Sequence, residues 1–223
     1  MDILAHILFL MAKHRFLFVP LSFAIAFGLG WPLSRLIGRH ARVFALVVIA
    51  AFLNIFFGPD LSAYVLYKRG ETGSAQITGT FATSTQYNNH DVVGYNILIK
   101  TAEGKIVETS FEDDDFNLYP APDGFVYPQP GDQFNVRYLR TFPQDFVIVA
   151  DDDSPWARRR KCDGLRETLL EAKRKFDFDN AGSTYRSLYI AAIRTFVDDK
   201  CYDDDDDRRA YEQDIENAQA GVK

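Results

Sequence analysis

Residues 43–59 read VFALVVIAAFLNIFFGP and residues 75–81 read AQITGTF, and the change of pattern between them decides the architecture. The first stretch is seventeen residues without a charge. A helix rises about 1.5 Å per residue and a hydrocarbon core is about 30 Å thick, so roughly 20 apolar residues cross it. The second stretch alternates: Ala75, Ile77, Gly79 and Phe81 fall on one side of an extended chain, and Gln76, Thr78 and Thr80 on the other. That is the period of a half-buried strand. The chain therefore passes from a lipid-compatible helix to a β domain within about fifteen residues.

Upstream, residues 16–34 read FLFVPLSFAIAFGLGWPLS, nineteen residues again without a charge. Water-soluble helices of that length show a polar stripe. The pair predicts an uncleaved transmembrane helical hairpin over residues 15–69, with spans at about 16–34 and 43–59. Pro20 and Pro32 are compatible with spans, because freed carbonyls in membrane helices find other partners. Trp31 is placed to anchor the first span at the interface, and Arg35, Arg39 and Arg42 make the connecting loop basic. Residues 3–11 (ILAHILFLM) are too short to span, and with Lys13, His14 and Arg15 behind them they predict an interfacial helix over residues 1–14. Asn54 is expected to bond across to the first helix or to a partner helix. Asp60 follows Gly58-Pro59. Pro59 is expected to end the span with Asp60 at headgroup level, the alternative being an intramembrane carboxylate with a proton or ion role.

Charge divides the chain. Residues 1–70 carry seven basic and two acidic side chains, residues 71–153 four and fourteen, and residues 154–223 fourteen and fifteen. An acidic middle repels phosphate and excludes nucleic acid as a partner. It also carries the strand patterns. Tyr95, Ile97 and Ile99 alternate with Asn96, Leu98 and Lys100, Ala102-Glu103-Gly104-Lys105 reads as a hairpin turn, and residues 106–111, 134–138 and 145–150 read as further strands. Five short strands over residues 70–153 predict a small antiparallel barrel or sandwich, with residues 112–129 as a surface excursion.

Residues 154–223 predict an α-helical tail. Residues 166–176 and 184–198 read as two helices with apolar faces, Leu165, Leu169, Ala172 and Phe176 on one, and either Tyr185, Leu188, Ala192 and Phe196 or Tyr189, Ala192, Ile193 and Phe196 on the other. Ser183 is the expected N-cap of the second. An antiparallel pair brings Cys162 and Cys201 together, and a disulfide there would staple a hairpin too small for a good core. It implies an oxidising compartment and agrees with a cytoplasmic arginine loop. The soluble part is then extracytoplasmic, on the outer face of a bacterial inner membrane.

Motifs of chemistry are sparse. The sequence contains no P-loop, GxGxxG, HExxH, GxSxG or CxxC. His90, in QYNNHD, reads as a loop histidine. The acidic runs at residues 112–115, 151–153 and 203–207 lack EF-hand spacing and read as solvated charge rather than calcium ligands, and residues 203–207 also precede residues 208–215, where acids suit a helix N-terminus. No cofactor, metal ligand or catalytic residue is expected.

Two apolar runs followed by G-x-A-x-I-x-G (residues 73–79), Y-x-I-x-I-x-T-x-x-G (residues 95–104) and P-G-D-x-F-x-V-x-Y-x-x-x-x-P (residues 130–143) resemble a family of bacterial inner-membrane proteins of unknown function. Those carry a small extracytoplasmic β domain next to one to three transmembrane helices. The resemblance covers roughly residues 15–150. It implies an extracytoplasmic β module with no established catalytic residue or ligand. Together these readings predict a non-catalytic accessory or interaction protein that is a subunit of a membrane assembly, with the lipid bilayer and other membrane subunits as partners. The alternatives are an immunity or envelope-protective protein that binds a toxin, and an ion-coupled or metal-dependent membrane component.

Overall fold

A computed structural model of the chain describes residues 2–28, 40–87, 89–121, 126–180 and 182–220. Among these, six α-helices and six strands follow in order. They are α1 (Asp2–Lys13), α2 (Arg15–Gly28), α3 (His40–Arg69), β1 (Glu71–Tyr87), β2 (His90–Lys100), β3 (Ile106–Glu112), β4 (Leu118–Tyr119), β5 (Gln133–Tyr138), β6 (Phe146–Val149), α4 (Pro155–Phe178), α5 (Ser183–Asp198) and α6 (Asp205–Ala220). The chain divides into two compact units, Met1–Trp156 and Ala157–Lys223.

The second apolar run does not stop at Pro59. The helix continues through it to Arg69, thirty residues in all. Pro59 has no N–H to offer the carbonyl four residues back, which costs an exposed helix about 3 kcal/mol. Here Pro59 is buried, on a stripe with Ala51, Asn54, Gly58, Ser62, Ala63 and Leu66. Those positions recur at three- and four-residue spacing, so they share one face. The opposite face carries Phe52, Leu53, Phe56, Phe57, Leu61 and Tyr64, all exposed. Among the described residues this is the one helix long and apolar enough on its own to cross a membrane, over Val48–Arg69. Of the first apolar run, residues 16–28 lie in α2 and residues 29–34 are outside the described residues; α2 departs from α1 at 98° around His14, and this run does not pass as a span by itself among the described residues.

The sheet is open, not a barrel. Its order is β3-β2-β1-β5-β6-β4, leaving β3 and β4 as edges. It is also mixed, because β4 pairs parallel with β6, Leu118 opposite Ile148. That strand lies in the stretch expected to be a surface excursion. A two-residue strand has too little pattern to be seen in sequence, and closure fails because β3 and β4 stand at opposite ends of the order. The β1–β2 ladder sets Ala75 against Ile99 and Ile77 against Ile97, and its register shifts after Ile77 and after Ala82. Inward alternation therefore holds to Ile77 and lapses beyond it, where Phe81 is 39% exposed and lies on Gly94. The expected turn at residues 102–105 forms, with Gly104 at φ +82°. β6 is buried at all four positions, Phe146 to Val149, as expected of a strand covered on both faces. Tyr95, Phe111 and Tyr127 form an aromatic cluster that Phe146 joins edge-on to Phe111.

One residue separates α3 from β1. Gly70 N–H donates to the Leu66 carbonyl at 2.7 Å, closing the helix. A Cβ at Gly70 would meet Leu66 O at 2.6 Å, Tyr138 N at 2.9 Å and Arg137 C at 3.0 Å. All three are backbone atoms, so there is no flexible side chain to move aside.

In the second unit the core joins three helices rather than two. Leu169 and Ala172 of α4, Tyr189, Ile193 and Phe196 of α5, Cys201 between α5 and α6, and Ala218 of α6 are buried together. This settles the face of α5: Tyr185 and Leu188 are exposed. Gly182, not Ser183, is the N-cap of α5. The third helix begins within the aspartate run, where acids suited a helix N-terminus, and Asp204 Oδ1 accepts the backbone N–H groups of Asp206 and Asp207, each at 2.9 Å. A side-chain oxygen satisfying orphan N–H groups is what an N-cap supplies. The Cys162 and Cys201 sulfurs lie at bonding distance, 2.04 Å, closing a sequence separation of 39.

Two outcomes follow. Gly70→Ala is expected to destabilise the first unit by about 1–3 kcal/mol through overpacking against backbone, read as a lowered denaturant midpoint. Reducing the Cys162–Cys201 bond, or replacing both residues by Ser, is expected to cost the second unit about 4 kcal/mol by loop-closure entropy. The measurement is thermal unfolding of the full chain with and without reductant.

Candidate functional site: the clamp between the helices and the sheet

Five of the seven buried polar side chains described in the first unit, Arg15, Asn54, Ser62, Asn117 and Asp145, gather where α1, the α1–α2 bend and α3 meet the sheet. The arrangement begins with α1. Met11 O accepts a hydrogen bond from Asn54 Nδ2 at 2.8 Å, while Ala5 packs with Ala63 and Leu66. As numbers rise along α1 they fall along α3, so the two helices run in opposite directions. Asn54 thus bonds across to a helix, as its place in an apolar run suggested, and the helix is α1. Its Oδ1 lies where a Cβ on Gly58 would be, so Gly58 makes room for the amide.

Two further contacts fix α1 to the sheet. His6 Nδ1 donates to Asp145 Oδ2, and the imidazole stacks on Phe142 with centroids 3.9 Å apart. Thr141 Oγ1 donates to Asp2 Oδ2 at 2.9 Å. Asp145 is 2% exposed. Burial pushes its carboxyl above the usual range, and the bond and charge of His6 offset part of that rise. A buried carboxylate without a partner is strongly disfavoured, so His6 is what makes Asp145 tolerable there.

The α1–α2 bend is held by the run at residues 112–115. Asp113–Asp115 form a 3₁₀ turn after β3. Arg15, first residue of α2 and 7% exposed, donates from Nη1 to the Asp114 carbonyl at 3.0 Å. Its Nη2 is 3.9 Å from Asp114 Oδ2, and its guanidinium lies over Phe16 and Phe116. Lys13 Nζ is 3.7 Å from Asp115 Oδ2. Burial raises the Asp115 carboxyl, and Lys13 and the Glu112 N–H hold it down in part. Between these groups lies a small cavity lined by Ser62, Asn117, Lys13 and Asp115. Ser62 Oγ and Asn117 Oδ1 are both buried there with no hydrogen-bond partner, each an unmet cost of about 1–3 kcal/mol. On the far side Tyr67 Oη donates to Asp151 Oδ2 at 2.9 Å, and its ring meets that of Tyr119.

The sequence-predicted residues are distributed as follows. Asn54 belongs to the clamp. Asp60 lies on the exposed side of α3, beside Leu61. Arg42 lies in the first turn of α3. Trp31, Arg35 and Arg39 lie outside the described residues. Cys162 and Cys201 are in the second unit. The run at residues 112–115 is not simply solvated: it receives Lys13 and Arg15. Among the described residues no group of three or more His, Cys, Asp or Glu is placed to hold a metal ion. Sequence reasoning missed His6 and Asp145 altogether. The one available signal for the rest was a basic triplet, Lys13-His14-Arg15, and an acidic run of matching size about a hundred residues later.

No protein-family model, curated protein or solved structure matches the chain.

Asp115 gives the clamp a pH signature. A carboxyl raised in the folded state binds more protons there than in the unfolded chain, so its contribution favours folding at acid pH and is lost as pH rises out of the ordinary carboxylate range. Asp115→Asn keeps an oxygen for the Glu112 N–H and removes the buried charge. The stability difference, variant minus wild type, is expected to shift in favour of the variant as pH rises from about 4 toward neutrality. Urea midpoints across that range measure it. A difference that moves the other way would mean that the Lys13 pair, not burial, governs the carboxylate.

Proposed function

We propose that the chain is a membrane-anchored, non-catalytic accessory protein. In this proposal α3 crosses the bilayer with α2 beside it, and the β domain and helical tail offer binding surfaces to other membrane subunits. The observation that carries the proposal is the exposed face of α3. Phe52, Leu53, Phe56 and Phe57 are 50–70% exposed on a helix whose other face is already filled. Exposed contiguous apolar surface of this kind is costly in water and costs nothing in lipid. α1 and α2 carry exposed apolar side chains of their own, Ile3, Leu4, Ile7, Phe16 and Leu17. The clamp supports the same proposal: its buried charge pairs hold apolar helices to a folded domain, the structural need of an anchored protein rather than of a reaction centre.

An extracytoplasmic position for residues 70–220 belongs to the proposal. It is supported by the pairing of Cys162 with Cys201 across the helices of the tail and by three arginines, Arg35, Arg39 and Arg42, between the apolar runs. Likeness to inner-membrane proteins with a small β domain is part of the same reading.

The chain is expected to stay with membranes through alkaline carbonate extraction and to need detergent for a monodisperse preparation. A monodisperse chain in detergent-free buffer overturns the anchor. In intact cells, an impermeant thiol reagent is expected to label Cys162 and Cys201 only after reduction. Labelling without reductant and only after lysis places the tail in the cytosol.

A further inference from the structure

The small cavity inside the clamp draws its polar lining from three segments: Lys13 at the end of α1, Ser62 of α3, and Asp115 and Asn117 between β3 and β4. The rest of its wall is apolar, Phe9 and Phe146 included. Ser62 is 4% exposed and Asn117 6%. Among the described residues, neither Ser62 Oγ nor Asn117 Oδ1 has a hydrogen-bond partner. We propose that this cavity binds one structural water molecule, which bridges Ser62 to Asn117 and completes the Lys13–Asp115 pair.

Three observations select that ligand. The first is size. The cavity measures about 10 Å³, close to the smallest volume that admits a water, roughly 10–15 Å³. It takes one water and nothing larger. The second is the chemistry of the two unmet atoms. An amide oxygen only accepts, and a hydroxyl donates and accepts. A water donates to Asn117 Oδ1 and accepts from Ser62 Oγ. Asn117 is held where it stands, because its backbone carbonyl accepts the Ile148 N–H at 2.8 Å. The third is the length of the ion pair. Lys13 Nζ and Asp115 Oδ2 are 3.7 Å apart, and a polar contact beyond about 3.5 Å is where a bridging water belongs. The same water accepts from Lys13 Nζ and donates its second proton to the Asp115 carboxylate. Two bonds given and two received use its full capacity. Charge argues against an ion. A cation would face Lys13 and an anion would face Asp115. Three oxygen-bearing side chains also fall short of the about six ligands that a hard cation takes. The water thereby ties α3 into the clamp between α1 and the 3₁₀ turn. All four polar residues belong to the first unit, so the site does not depend on whether α3 lies in lipid.

A high-resolution experimental structure of the full chain in detergent tests the site directly. An ordered water is expected within hydrogen-bond distance, about 2.5–3.2 Å, of both Ser62 Oγ and Asn117 Oδ1. Density that reaches only one of them, no density there, or the two side chains bonded to other protein groups overturns the proposal. Water deuterium relaxation dispersion gives a second readout, because it counts long-lived internal waters in solution. Ser62→Val puts a methyl group in the place of the water and is expected to hold one such water fewer than the wild type. Equal counts overturn the site. A third measurement does not rely on Ser62→Val folding. Urea midpoints are compared for Ser62→Ala, Asn117→Ala and the two combined. A shared water makes the combined loss smaller than the sum of the single losses. Losses that simply add show that nothing bridges the pair, and the proposal falls.

Discussion

α3 packs because one of its faces is narrow. Ala51, Asn54, Gly58, Ser62 and Ala63 are small or flat enough for other backbones to approach closely. Along that stripe α1 comes near enough for the Met11 carbonyl to reach Asn54, and Val147 of β6 and Leu139, just after β5, come near enough to bury Ala63 and Leu66. A large residue on the stripe would hold α1 and β6 off α3. The burial of β6 at all four positions and the seating of the His6–Asp145 pair both presuppose that close approach. Dispersion and burial reward it only at short range, so this face sets the spacing of the first unit.

The clamp adds specificity where packing alone is permissive. Apolar helices can slide on an apolar sheet at little cost. Charges at buried and half-buried positions resist it, Asp145 and Arg15 most of all, because a buried charge left without its partner is costly. His6 to Asp145, Lys13 to Asp115 and Arg15 to Asp114 are three such tethers, spaced along α1 and its bend. They fix where α1 ends and the direction in which α2 departs. Ser62 and Asn117, buried without partners, show that polar satisfaction in the same region is incomplete.

Local pattern carried the parts of the fold whose cause is local. The apolar run of α3, the alternation of β1 up to Ile77, the turn at Gly104 and the stripe of Leu165, Leu169 and Ala172 on α4 were all readable, because each is decided by neighbours within a few residues. The helix through Pro59 was not. Proline is judged by its lost hydrogen bond, and the sequence does not show that Gly58 and Pro59 face a buried contact. The parallel strand β4 and the open sheet were hidden for another reason: Leu118 meets Ile148 across thirty residues, and two residues carry no period. The third tail helix was foreshadowed only as acids before a possible helix start. The clamp was least legible. Lys13 and Arg15 were seen as a flank for lipid and residues 112–115 as solvated charge, and only folding brings them together. His6 to Asp145 spans 139 positions and leaves no local trace.

The single-residue joint at Gly70 has a mechanical consequence. With backbone atoms of Leu66, Arg137 and Tyr138 crowded about it, the joint leaves little room to hinge, and helix and sheet move as one lever. β1 has seventeen residues, which at about 3.3 Å each reach on the order of 55 Å. A rocking of α3 by about 10° would swing the far tip of the β1–β2 hairpin through roughly 10 Å. Displacements too small to notice at the base are thereby magnified into ones that a neighbouring molecule at the tip can feel.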